Sequence, residues 1–178
     1  MSRIGASPIS FKGLSCVFDD NSCALQIKKG PDVRATYVLP DYISCCVRDS
    51  VLTLALKKGS ARKSHFGMHR SILNSILVGL SEGFVKKIGL SGVGYKAELK
   101  GCYIVFSIGY SHTIKYRLVD GVEVKIIKPT EILLTSHDKQ LLGVVAADLC
   151  RLRKYNPYKG KGIFIEGSFL LKKESSKK

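Results

Sequence analysis

Leu73-Asn74-Ser75-Ile76-Leu77-Val78-Gly79-Leu80-Ser81-Glu82-Gly83-Phe84 carries a change of period. Leu73, Ile76, Leu77 and Leu80 recur at i, i+3, i+4 and i+7, which makes one apolar stripe along a helix. Gly83 stands just past its end, where a glycine stops a helix. From Phe84 a strand pattern begins again. The chain therefore reads as one α+β unit that closes here and a second that opens here, with the boundary near residues 81–83.

Upstream, residues 1–13 read as loop, with Gly5, Pro8 and Gly13. Strands are predicted at Leu14–Phe18, Cys23–Lys28, Val33–Leu39, Ile43–Arg48 and Val51–Leu56. Turn chemistry separates them: Asp19-Asp20-Asn21, Gly30-Pro31-Asp32, Pro40-Asp41 and Asp49-Ser50. The helix fits Ser60 to about Leu80. Downstream, strands are predicted at Phe84–Leu90, Tyr95–Leu99, Tyr103–Ile108, Thr113–Leu118, Val122–Ile127 and Ile132–Thr135. Lys100-Gly101 and Asp120-Gly121 read as hairpin turns, and Lys128-Pro129-Thr130 breaks the next pair. A second helix runs from about Asp138 to Lys154, with Leu141, Val145, Leu149 and Leu152 as its stripe and Ser136 or Asp138 as its cap. The expected fold class is α+β: two similar domains, residues 1–82 and 83–178, each a mainly antiparallel β-sheet with one packed amphipathic helix.

The second helix delivers its C-terminus into Arg151-Leu152-Arg153-Lys154-Tyr155-Asn156-Pro157-Tyr158-Lys159-Gly160-Lys161-Gly162, which holds no acidic residue. Arg151, Arg153 and Lys154 are expected in the last helical turn, where the dipole favours cations. Lys159 and Lys161 alternate with Gly160 and Gly162. Glycine at every second position allows φ > 0, close approach of the main chain and exposed N–H groups. Such a stretch is either a solvated basic loop or a surface for closely spaced phosphates.

Composition bears on that choice. The 178 residues are 45% hydrophobic, enough for a real core, and the net charge is +15. Residues 83–178 hold 18 basic and 8 acidic side chains, and residues 151–178 alone hold 9 and 2. An excess of this size attracts polyanions, meaning nucleic acid or an anionic membrane. No run of about 18 apolar residues is present, and the N-terminal residues lack an apolar signal core, so a cytosolic protein is expected. The six cysteines show no CxxC spacing and lie mostly in apolar stretches, so reduced core cysteines are expected rather than disulfides or zinc.

Catalytic patterns fail on context. Gly92-Val93-Gly94-Tyr95-Lys96-Ala97 matches a dinucleotide fingerprint, but the alternation after it is strand-like, whereas that site needs a helix N-terminus. It reads as a glycine-rich turn or bulge. His65 and His69 are four apart, yet Phe66 follows the first, and no acidic residue lies between Asp49 and Glu82. With Arg62, Lys63 and Arg70 they read as basic surface. His112 and His137 belong to no ligand motif, GxSxG is absent, and Lys161 has no Walker spacing. No enzyme activity, cofactor or metal is expected. Tyr95, Tyr110, Tyr116, Tyr155 and Tyr158 are interleaved with cations and can stack on bases or hydrogen-bond to phosphate, without separating RNA from DNA.

Several ordered motifs resemble the bacterial-type protein six (L-six) family of the large ribosomal subunit. They are Val78-Gly79 with Glu82-Gly83-Phe84, Gly92-Val93-Gly94-Tyr95-Lys96-Ala97, Gly109-Tyr110-Ser111-His112, Asp138-Lys139-Gln140 leading to Gly143 and Ala146-Ala147, and Pro157-Tyr158-Lys159-Gly160-Lys161-Gly162-Ile163. Ser2-Arg3-Ile4-Gly5 with Pro8-Ile9 also matches. The chain departs from that family at Gly67-Met68-His69-Arg70, where threonines are usual. It also departs at Thr113 and Tyr155, where proline is common, at Phe164, where a basic residue is common, and in the apolar tail Phe169-Leu170-Leu171. The resemblance implies a non-catalytic structural protein that binds large-subunit (23S-type) rRNA near the sarcin–ricin loop and stalk base, beside other ribosomal proteins and docking translation factors. The rRNA-binding residues it and the charge pattern together suggest are Tyr95, Lys96, Ser111, His112, Arg151, Arg153, Lys154, Tyr158, Lys159, Gly160, Lys161 and Gly162. The rival reading is a peripheral membrane-surface or other polyanion-binding protein held by its basic tail. Against a membrane helix there, Gly and Pro punctuate residues 155–168.

Overall fold

The computed structural model describes residues 3–19, 22–48, 50–57 and 64–174. The turn residues Asp20, Asn21 and Asp49, the expected helix start at 60–63 with Arg62 and Lys63, and residues 175–178 lie outside the described residues. The chain divides into two compact units, residues 1–83 and 84–178. Both are α+β, and every pairing between strands is antiparallel.

The first unit runs α1 (Arg3–Ala6), β1 (Ile9–Ser10), β2 (Ser15–Asp19), β3 (Ala24–Lys29), β4 (Asp32–Val38), β5 (Ile43–Arg48), β6 (Val51–Leu56) and α2 (Phe66–Ser81). Its strands form two three-stranded sheets, in the orders β1-β6-β5 and β2-β3-β4. Residues 1–13 are therefore not all loop. Ile9 is 2% exposed and pairs with Leu52, so a two-residue strand too short to show a period is fixed by burial. Ser64 and His65 precede the helix, which begins at Phe66, itself part of the core. Leu73 and Leu77 of the α2 stripe are buried, and Ile76 and Leu80 pack partly against the same core.

Two residues read as basic surface have structural work in this unit instead. The Arg70 guanidinium donates to the Ser7 and Pro8 carbonyls at 3.4 and 3.3 Å, tying the N-terminal segment to α2. The His69 ring lies between two tyrosine hydroxyls, with Nδ1 2.7 Å from Tyr37 Oη and Nε2 3.5 Å from Tyr42 Oη. Desolvation, and then the neighbouring His65, hold its pKa below the ordinary value. Of the six cysteines, Cys16, Cys45 and Cys150 are half-buried and pack against the cores, Cys23 is half-buried, and Cys46 and Cys102 are exposed.

The second unit runs β7 (Phe84–Ser91), β8 (Lys96–Lys100), β9 (Tyr103–Ser107), β10 (Ile114–Arg117), β11 (Val122–Lys128), β12 (Glu131–Ser136), α3 (Lys139–Leu152) and β13 (Gly162–Ile165). Its sheets have the orders β10-β9-β8 and β11-β12-β7-β13. The Gly101-Cys102 connection makes the expected β8–β9 hairpin. Asp120-Gly121 makes no hairpin, because β10 pairs with β9 while β11 pairs with β12, so the chain changes sheets there. Asp138 caps α3, its carboxylate accepting from Gln140 N at 2.7 Å. Ser136 instead donates to the Gly121 carbonyl at 2.7 Å and accepts from Asp138 N at 3.1 Å.

The buried face of α3 is Leu142, Val145, Ala146 and Leu149, one row round from the expected stripe. Leu141 and Leu152 are only partly buried beside it. These residues share one core with Ile88, Leu90, Ile132, Leu134 and Ile163 of one sheet and with Ala97, Ile104 and Phe106 of the other. Helix α3 ends at Leu152, and Arg153 is extended (φ −147°, ψ 98°). Of the three cations expected in the last turn, only Arg151 is there.

The depressed His69 pKa has a definite sign for stability. The native state disfavours the imidazolium, so below the ordinary value of 6.5 the unfolded chain takes up protons that the folded chain resists. Stability should fall as pH drops from 7.5 to 5.5, and His69→Gln should flatten that slope. Urea denaturation across this range checks it, and an unchanged slope in the variant would contradict it.

Candidate nucleic-acid interface

After α3 the chain returns to the four-stranded sheet within ten residues, and its own hydrogen bonds close the loop. The Arg153 carbonyl accepts from Ile163 N at 3.0 Å, and Lys154 bridges Ile163 in parallel register. Asn156 N donates to the Lys161 carbonyl at 2.9 Å. Asn156 Oδ1 accepts from the amides of Tyr158 and Lys159 at 2.9 and 3.2 Å, and its carbonyl accepts from Gly160 N at 2.8 Å. This is the side-chain turn that asparagine makes with its own following backbone. Ser91 at the end of β7 holds the Gly160 carbonyl at 2.7 Å.

That network corrects one expectation about the glycines. The amides of Tyr158, Lys159 and Gly160 are committed to Asn156, so those three N–H groups are not presented to a partner. Gly162 is no loop residue. It is buried and opens β13 opposite Ser91. A Cβ there would lie 2.5 Å from Tyr155 Cα and 2.8 Å from the Lys154 carbonyl, at φ +145°. Its close approach is to its own chain. Gly160 has φ +66°, and a Cβ there would meet nothing nearer than Tyr155 Oη at 3.7 Å.

The closed loop is one wall of a cleft of about 690 Å³. Arg151, Arg153, Lys154, Asn156, Lys159 and Lys161 line it, facing Val93 and Tyr95 of the β7–β8 turn and Gly109 and Tyr110 of the β9–β10 turn. Among the described residues no carboxylate lines it. Arg151 is paired with Asp148 at 2.8 Å, but its side chain is 74% exposed, so the pair is weak. The Arg153 guanidinium lies 4.6 Å from the centroid of the Tyr110 ring, whose hydroxyl donates to the Leu152 carbonyl at 3.2 Å. Lys154, Lys159 and Lys161 are exposed and have no acidic partner among the described residues.

Among the residues read from the sequence, Tyr95, Arg151, Arg153, Lys154, Lys159 and Lys161 meet at this cleft. Tyr95 is there by its edge only. It is 8% exposed and belongs to the core, so it offers no ring face for stacking. Lys96 projects from β8 and is 3.4 Å from Glu98. Ser111 and His112 are exposed beyond Tyr110, and the His112 ring lies nearly parallel to that of Tyr110, with centroids 6.2 Å apart. Tyr158 is exposed, with Lys173 Nζ 5.9 Å from its ring, and the tail is joined to the loop where Lys173 N donates to the Pro157 carbonyl. Asn156, Val93 and Gly109 belong to the site without having been singled out. Asn156 before Pro157 carried a turn signal, whereas the approach of two distant turns carried none.

The Gly92–Gly94 turn leads into strand β8, with Gly92 at φ +153° and Gly94 at φ +76°, so the geometry is that of a turn and not of a dinucleotide-binding helix start. Among the described residues no group of three His, Cys, Asp or Glu could hold a metal ion, and no helix is long and apolar enough to cross a membrane.

A basic cleft between the turns of an α+β unit offers cations to a polyanion. Residues 91–164, which run from the end of β7 through the closed loop into β13, match the ribosomal protein L6 family. Along its whole length the chain is 36% identical to the large ribosomal subunit protein uL6 of Beijerinckia indica. It is 37% and 38% identical to those of Bartonella tribocorum and Bartonella henselae, again over the full length of both chains. The chain belongs to the uL6 family of large-subunit ribosomal proteins, whose members are structural and not enzymes.

Gly160 of the loop and Gly162 of β13 should separate in their effect on folding. Gly162→Ala combines a backbone clash with an unfavourable torsion and should cost about 2–6 kcal/mol. Gly160→Ala, in open space, should cost about 1–2 kcal/mol. Chemical denaturation of both variants measures this, and equal losses would contradict the assigned role of Gly162.

Proposed function

We propose that this chain is a structural constituent of the large ribosomal subunit that binds 23S-type rRNA through its second unit. The observation that carries the proposal is the cluster of Lys154, Lys159 and Lys161, without acidic partners among the described residues, on a loop closed by Asn156. Membership of the uL6 family supports the choice of rRNA over other polyanions. In this reading residues 1–82 and 83–178 are two domains of unequal charge. The second binds RNA chiefly through Arg151, Arg153, Lys154, Lys159 and Lys161, with Lys96, Ser111, His112 and Tyr158 as outlying contacts. The family resemblance further supports a place near the sarcin–ricin loop and stalk base, beside other large-subunit proteins and the docking translation factors, in the cytoplasmic ribosome.

The physics of such binding is counterion release. Each lysine or arginine that neutralises a phosphate frees condensed ions, so affinity falls with salt at a slope set by the number of contacts. The stiff loop fixes the spacing of the lysines before binding, which lowers the ordering cost.

Lys159→Ala with Lys161→Ala should weaken binding of the full chain to a large-subunit rRNA fragment and flatten the log–log salt slope by up to about two. The melting temperature should hardly move, since exposed lysines contribute little to stability. Titration at two salt concentrations with a thermal melt as control tests this. Wild-type binding by the double variant would contradict the placement of the site.

A further inference from the structure

The cleft is concave, and not all of it is basic. A duplex presents its phosphates on a convex surface with the bases stacked inside, and a flat basic face would be enough to meet them. Here Val93, 91% exposed at the tip of the Gly92–Gly94 turn, Leu152 and the edge of Tyr95 supply an apolar lining. Tyr110 continues that lining into an aromatic surface, with the exposed His112 ring nearly parallel to it at 6.2 Å and the Arg153 guanidinium at 4.6 Å. Unpaired RNA bases are held on such tyrosine, histidine and arginine planes. The volume of about 690 Å³ lies within the range of sites that enclose a small organic group.

We infer that this cleft takes an unpaired nucleotide of the bound RNA, its base against the Tyr110 and His112 rings and its phosphates on Lys159 and Lys161. The inference rests on the rRNA-binding reading and adds to it the kind of RNA feature engaged: a bulge, loop or strand end in place of a continuous helix. Arg153 and the Tyr110–Leu152 hydrogen bond hold the Tyr110 ring in place, so the aromatic surface exists before the RNA arrives. His112 is the residue to test, because it is exposed and outside the core.

The test uses the full-length chain and two probes, a mixed-sequence single-stranded RNA of about ten nucleotides and a blunt RNA duplex of about sixteen base pairs. Dissociation constants are read by fluorescence anisotropy at one fixed salt concentration. His112→Ala should weaken single-strand binding by at least about fivefold, and by at least about threefold more than it weakens duplex binding. His112→Phe should restore the single strand, since a ring and not a charge is required. The lysine double variant should weaken both probes. If His112→Ala changed neither probe, or both equally, while the lysine variant still weakened both, the inference would fall and the rRNA-binding reading would stand. If the lysine variant changed neither probe, both would fall.

Discussion

The pairing of β13 with β7 is the constraint on which the second unit's surface depends. Gly162, Ile163, Phe164 and Ile165 lie opposite Ser91, Leu90, Gly89 and Ile88, so the segment after α3 must return to the sheet within ten residues of leaving the helix. That return is possible only because Gly162 lets the strand start in contact with the backbone of Lys154 and Tyr155. Asn156 then takes up the loop's amides, and Ser91, the residue that ends β7, holds it from the other side. Lys154, Lys159 and Lys161 are consequently carried on a short closed loop instead of a flexible tail. The cost of ordering them is met during folding and not at the moment of binding.

Each unit engages some of its cations in the protein itself. In the first, Arg70 is bonded to the Ser7 and Pro8 carbonyls, Lys29 donates to the Leu80 carbonyl at 3.2 Å, and Arg34 is 3.3 Å from Asp32. Those side chains are occupied by the protein itself. In the second, Lys87, Lys96, Lys100, Lys128 and Arg151 lie beside carboxylates, whereas Lys154, Lys159 and Lys161 of the loop have no acidic partner among the described residues.

Much of this was legible in the sequence because it is local. The α2 stripe with Gly83 past its end marked the change of unit, and β-branched segments between turn residues marked most strands. What escaped was long-range. Strand β13 is four residues long and opens on a glycine, so no period announces it; only its pairing with β7 makes it a strand. The row of α3 that is buried includes Ala146, too small to stand out in a stripe read from large residues. Tyr95 looked like a stacking residue because tyrosines among lysines often are, but the turn at Gly92 and Gly94 folds its ring into the core. Asp120-Gly121 had hairpin chemistry and lies instead where the chain passes from one sheet to the other. Tyr155 and Phe164, two separate departures from the family pattern, prove to touch edge to face at 6.0 Å, a coupling no linear reading displays.

The central claim is that the loop lysines are the surface that meets RNA, and their accessibility measures it most directly. Brief acylation of lysines in the purified chain and in intact large subunits carrying it, read by mass spectrometry, gives a protection ratio for each residue. Lys154, Lys159 and Lys161 should label readily in the purified chain and be strongly protected in the subunit. Equal labelling of these three in both states would contradict the account.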